Sequence, residues 1–225
     1  MAITIDGADN KLEIGANATG PSSLRLYEDT DNGTNYVSII APSAVTSNRT
    51  ITLPDATGTI LTSATTTGFP AGSVLQVVST TKTDTFTTTS TSMTDVTGLS
   101  VSITPSSASN KILIYCYVTV GAPNTNFVYI NLVRGSTAIC IGDAAGSRPR
   151  VTGMSFSGVT NGGVVDMLPI VFLDSPSSTS SLTYKIQIQC ATTGNAYINR
   201  SSRDQDSTTF DCRQASTITV MEIAA

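Results

Sequence analysis

Apolar and polar positions alternate through much of the second half of the chain. In Leu182–Cys190 the apolar set Leu182, Tyr184, Ile186, Ile188 and Cys190 is interleaved with Thr183, Lys185, Gln187 and Gln189. That two-residue period belongs to a strand with one face on a core and the other in water. Residues 97–103 repeat it, with Leu99, Val101 and Ile103 inward and Gly98, Ser100 and Ser102 outward, before Pro105 and a serine-rich turn. Residues 127–133 offer Val128, Ile130 and Leu132 as an inward set. Further strands are expected at 74–79, 84–89, 111–120, 137–141, 151–157, 163–173 and 216–223. No window carries a convincing 3.6-residue apolar period, so the pattern predicts an all-β chain whose residues 73–225 form a β-sandwich of jelly-roll-like kind.

Two of these strands are not half-wet. In 111–120 the even positions Ile112, Ile114, Cys116, Val118 and Val120 form a core face, but Leu113, Tyr115 and Tyr117 stand on the opposite one. Residues 164–173 are likewise apolar on both faces apart from Asp166. A sandwich strand covered on both sides needs a third layer. No helix is available to supply it, so Leu113, Tyr115 and Tyr117 are expected at an interface with another subunit. A covering loop, or the N-terminal segment of the same chain, is the alternative.

The first 72 residues read differently. Leu24 to Glu28 and Asn35 to Ile40 flank Asn32-Gly33, a pair suited to a tight turn with positive φ, and predict a hairpin. A third strand is expected at 50–53 and a fourth at 59–61. Four short strands with few large side chains make a poor independent core, so residues 1–72 are expected to act as a β-rich attachment or shaft region. The polar, Gly- and Pro-bearing stretch 62–72 is the expected linker.

Composition narrows the chemistry. The 225 residues include 37 Thr and 28 Ser but no His and no Trp. Without imidazole there is no Ser-His-Asp or Cys-His couple and no His-ligated metal. The chain is therefore expected to be no enzyme, with neither catalytic nor metal-binding residues and no cofactor. Twelve basic against sixteen acidic residues give a net charge of −4, with only four Lys. That excludes a phosphate-binding surface for nucleic acid. No apolar run approaches the roughly 20 residues of a membrane span, and Asp6 and Asp9 stand where an export signal would be apolar, so a soluble chain without membrane insertion is expected.

Cys116, Cys140, Cys190 and Cys212 have irregular spacing, and the expectation is free thiols filling core positions. Asp29 to Gly33 superficially resembles a calcium loop, but its Gly falls one position early and Ile40 stands where the bidentate Glu belongs. Asp204, Asp206 and Asp211 could supply the paired carboxylates of a glycosidase, though a polar inter-strand loop accounts for them. Arg148 and Arg150 in one loop, and Arg200 and Arg203 with Asp204 in another, are the candidate receptor loops, since guanidinium groups fork onto anions and sugar hydroxyls of a host surface glycan.

Residues 24–61 carry Leu26-Tyr27-Glu28-Asp29, Asn32-Gly33-Thr34-Asn35-Tyr36 and Leu53-Pro54-Asp55. This segment resembles one common in tail-fibre and related virion proteins of tailed bacteriophages, especially marine and cyanobacterial ones. GSVLQVV at 72–78, SSASNKILI at 106–114 and STITVMEI at 216–223 are similar to the trimeric jelly-roll knobs of phage fibres and head protrusions. The resemblance implies a homotrimer at the virion surface, with an N-terminal region on the major capsid protein or a tail protein, an outward knob, and assembly in the bacterial host cytoplasm. Only 72 residues precede the knob, at most about 250 Å when fully extended. That departs from long tail fibres and favours a short capsid decoration or cement protein. A short tail fibre acting as a host-receptor adhesin is the alternative, and a polysaccharide-degrading tail protein is the remote one.

Overall fold

In the computed structural model the described residues are the strands Thr4–Asp6 (β1), Lys11–Glu13 (β2), Ser23–Tyr27 (β3) and Tyr36–Ile40 (β4), and residues 69–122, 126–156 and 162–225. The chain divides into two compact units, Met1–Gly58 and Thr59–Ala225. In the first, β1 pairs antiparallel with β2, and β3 with β4, Tyr27 lying opposite Tyr36. The β3–β4 ladder is the expected hairpin. The Asn32-Gly33 turn, the strands expected at 50–53 and 59–61, the Leu53-Pro54-Asp55 motif and most of the 62–72 linker lie outside the described residues.

The second unit is a sandwich of two antiparallel sheets, and the described residues contain no helix. The smaller sheet runs β10 (Thr137–Ile139), β9 (Phe127–Arg134), β13 (Leu182–Cys190), β7 (Thr94–Ile103), with β11 (Gly153–Phe156) also on β9. The larger runs β5 (Val74–Lys82), β15 (Ser216–Ile223), β8 (Lys111–Gly121), β14 (Ala196–Ile198), β6 (Phe86–Thr88), with β12 (Val165–Asp174) along the other flank of β8. Each strand expected between residues 74 and 223 is present. β14 was not foreseen, because three residues set among polar turns offer no period to read.

The inward sets meet as the alternation requires. Ile112, Ile114, Val118 and Val120 of β8 and Ile218 and Val220 of β15 are buried with Leu99, Ile130, Leu132, Ile186 and Ile188 from the facing sheet. In β7 both Val96 and Leu99 point inward, three residues apart. Gly98 makes this possible, because it takes a φ of 81° where the β13–β7 register slips between Lys185 and Gln187.

Two buried carboxylates tie the sheets and turns together. Asp174 at the end of β12 accepts from both sides: Arg134 Nη1 reaches its two oxygens at 2.8 and 2.7 Å, and the hydroxyl of fully buried Tyr184 donates at 2.7 Å. Burial, and then the Asp174 carboxylate that needs this proton, push the Tyr184 phenol up. Glu222 on β15 holds the turn at 105–110 in the same way, accepting from Ser106 and Asn110.

Candidate interaction surface

The antiparallel registers decide which side chains share the outer face of the larger sheet. Pro169, Val171 and Leu173 of β12 stand opposite Tyr117, Tyr115 and Leu113 of β8, and these in turn stand opposite Thr217, Thr219 and Met221 of β15. Met221 continues to Val77 of β5. One apolar layer therefore crosses four strands. Tyr115 and Tyr117 are 38% and 47% exposed, Met167 60%, Val171 59% and Leu173 47%. Leu113 is half-buried among its neighbours.

Val74 and Val77 extend the layer on β5 and are also more than half exposed. Seven large side chains showing about half their area amount to roughly 600–700 Å² of apolar surface on one face. Monomers rarely exceed that in a single patch, and a standard stable interface uses about 800 Å² per partner. The central rows carry no charged side chain, so burying them leaves no ion unpaired. Sequence reasoning had flagged both strands but named only the β8 residues. The β12 and β5 contributors depend on register, which alternation alone does not reveal.

The loop between β14 and β15 collects three of the five receptor-loop candidates. Arg200 lies 4.5 Å over the Tyr197 ring and pairs with Asp204 at 3.0 Å, and Arg213 pairs with the other oxygen of Asp204 at 2.5 Å. Arg203 binds Asp211 through Nε at 2.8 Å and stacks over Phe210. Asp211 also accepts from Ser201 Oγ and the Gln205 amide. Above all the Arg203 bond, supported by those donors, holds its carboxyl well below the usual carboxylate range. Asn199, Asp204 and Asp211 take positive φ, a conformation that Asn and Asp tolerate better than bulkier residues. The loop is thus a self-closed set of ion pairs, and the guanidinium groups of Arg200 and Arg203 are already engaged.

Arg148 and Arg150 are not brought to this cluster. They lie on the excursion from β10 to β11 at the edge of the smaller sheet, where Arg150 Nε donates to the Gly142 carbonyl at 2.7 Å and Arg148 to that of Ala145 at 3.3 Å. The thiols also divide. Cys116 and Cys190 are buried core groups, burial pushing Cys116 up to about 12. Cys140 is half-buried and Cys212 is exposed, which corrects the expectation that all four fill the core, because Cys212 falls in the polar loop just before β15. All four are free. Among the described residues no group of three or more acidic or thiol ligands is placed to hold a metal ion, and no helix is long and apolar enough to cross a membrane.

The loop depends on close backbone approach at one point. A Cβ on Gly121, at the end of β8, would collide with the carbonyl oxygen of Arg200. Gly121→Ala is expected to cost about 1–3 kcal/mol and to lower the melting temperature by roughly 3–9 °C. Hydrogen exchange should show the loss of protection concentrated at 199–214.

No protein-family model matches the chain, and no curated protein matches it. Solved structures similar to it include the VP2 protein of infectious bursal disease virus. The D431N mutant in T=1 particles aligns at TM-score 0.37 and 11% identity over 89% of this chain and 44% of that one. A structure of the Gx strain of infectious bursal disease virus aligns at TM-score 0.34 and 12% identity over 88% of this chain and 50% of the other. The chain spans half or less of the length of these structures, and likeness at such scores assigns no function.

Proposed function

We propose that this chain is a non-enzymatic structural protein of a virion, a homotrimeric surface protrusion that decorates a tailed-phage capsid. In this reading residues 1–72 dock on the major capsid protein and the sandwich faces outward. One observation carries it: the apolar face across β12, β8, β15 and β5, whose central rows carry no charge and which is too large to be left in water. The absence of His from the sequence supports the non-enzymatic part. The adhesin reading has less support, because the Arg200 and Arg203 guanidinium groups are neutralised by Asp204 and Asp211.

Native mass spectrometry tests the assembly. The expected mass is three times 23.3 kDa, and a clean monomer overturns the reading. Electron microscopy of the intact particle tests the location. Three-fold density above the capsid is expected, and density confined to the tail transfers the chain to the adhesin reading.

A further inference from the structure

A closed three-membered ring is built from heterologous contacts: the patch each copy presents to one neighbour differs from the patch it presents to the other. The outer face of the larger sheet supplies only one of these. Outside that face, the described part of the sandwich unit has one other cluster of exposed large apolar side chains. Phe127 on β9 and Phe156 on β11 are cross-strand partners whose rings stack at 4.5 Å, and they are 37% and 43% exposed. Met154, two residues back, pairs with Tyr129 and is 51% exposed. All four lie on the outer face of the smaller sheet, on the last strand pair before its edge.

The placement of this strip is informative. β11 borders β12 where the two sheets come together, with Ser155 Oγ donating to Asp166 at 2.6 Å. The strip and the large apolar face therefore flank the same seam, one on each sheet. Its four side chains carry no charge, matching the charge-free rows they would meet. They present on the order of 300 Å² of apolar surface, and the rest of the roughly 800 Å² that each partner gives to a stable interface would come from the polar rim around them.

We propose that Phe127, Tyr129, Met154 and Phe156 form the counter-surface that receives the outer face of the larger sheet of a second copy, giving a head-to-tail contact. The inference rests on the self-association proposed above and names the partner patch. Two methionines, one on each surface, report on it in the unaltered protein. In the assembled trimer, peroxide oxidation of both Met154 and Met167 should be at least tenfold slower than in a monomeric variant carrying Tyr115→Asp and Tyr117→Asp. Protection of Met167 with Met154 oxidised at the monomer rate overturns the counter-surface and leaves the self-association standing. Protection of neither overturns the counter-surface and also moves the self-association off the outer face of the larger sheet. Protection of Met154 alone also overturns the pairing.

Photo-crosslinking then identifies the contact directly. With benzoylphenylalanine at position 156, or at 154 if that chain does not fold, irradiation should join the probe to residues 111–121 or 165–174 of another copy. A crosslink to residues 153–156 of another copy shows the strip meeting itself and overturns the proposal.

Discussion

Replacing Tyr115 and Tyr117 together with aspartate is expected to convert the proposed trimer into folded monomers. Both rings point away from the core, and each is more than a third exposed in the single chain, so the charges meet water in the free subunit. In the proposed assembly they would meet an uncharged surface. Each copy then carries two carboxylates into its contact, with no cationic side chain in the central rows to pair with them. An unpaired buried charge costs several kcal/mol, so two weaken the contact by at least about a thousandfold. Analytical ultracentrifugation at micromolar concentration should show the trimer replaced by a monomer. The melting curve should keep its cooperative shape, because Ile114, Cys116 and Val118, on the other side of the same strand, are untouched. The same aspartate at Ile114, which is fully buried, should instead prevent folding. If the double variant remains a trimer, these side chains lie outside the interface.

The contrast between Tyr115 and Ile114 shows what alternation makes legible. Because adjacent strand residues face opposite ways, the sequence 111–120 already separates a core face from an outer one. The presence of Tyr and Leu on the outer face, where β13 has Lys and Gln, was readable as well. Their opposite numbers were not: Pro169 stands beside Tyr117, and Val171 beside Tyr115, only because β12 pairs with β8 in one register out of several. The loops show the same limit. Sequence lists Arg200, Arg203, Asp204 and Asp211 within twelve residues but cannot say that Asp204 takes Arg200 and Arg213 while Asp211 takes Arg203. Ion pairing depends on positive-φ turns that place each carboxylate, and those are set by the folded loop.

β15 carries a signal of another kind. Ser216, Ile218, Val220 and Glu222 share its inward face, so a carboxylate stands in a position the alternation assigns to the core. Such a violation marks either a misassigned strand or a buried charge with dedicated partners. The partners come from elsewhere in the chain, at positions 76, 106 and 110, and only the fold collects them.

Removing that carboxylate is expected to destabilise the sandwich strongly. Glu222 is 1% exposed, and one of its oxygens accepts from the Ser106 amide and hydroxyl at 2.7 Å and from the Asn110 side chain at 2.6 Å, while the other accepts from Gln76. Asn110 in turn accepts the Ala225 amide, so one group fixes both the 105–110 turn and the end of the chain. Glu222→Ala strands these donors and opens a gap. A cost of about 3–5 kcal/mol follows, which lowers the melting temperature by roughly 8–15 °C in a unit of this size. Glu222→Gln keeps one acceptor oxygen and should lose less than half as much.

The pH dependence of Glu222 separates lost hydrogen bonds from lost volume. Burial is the largest single influence on this carboxyl and by itself would raise it. The bonds from Asn110, Gln76 and Ser106 together outweigh burial, and the group titrates below its ordinary value of 4.5. A carboxyl depressed on folding contributes stability that is complete above the unfolded value and disappears as pH falls through the folded one. The stability gap between wild type and Glu222→Gln should therefore be constant above about pH 5 and narrow progressively below pH 4.5. Asp84, Asp95 and Asp211 are also depressed, but they titrate alike in both proteins and cancel from the difference. A gap that stays constant down to pH 2 would mean that the Glu222 charge contributes nothing to holding the turn, and that packing alone explains the loss.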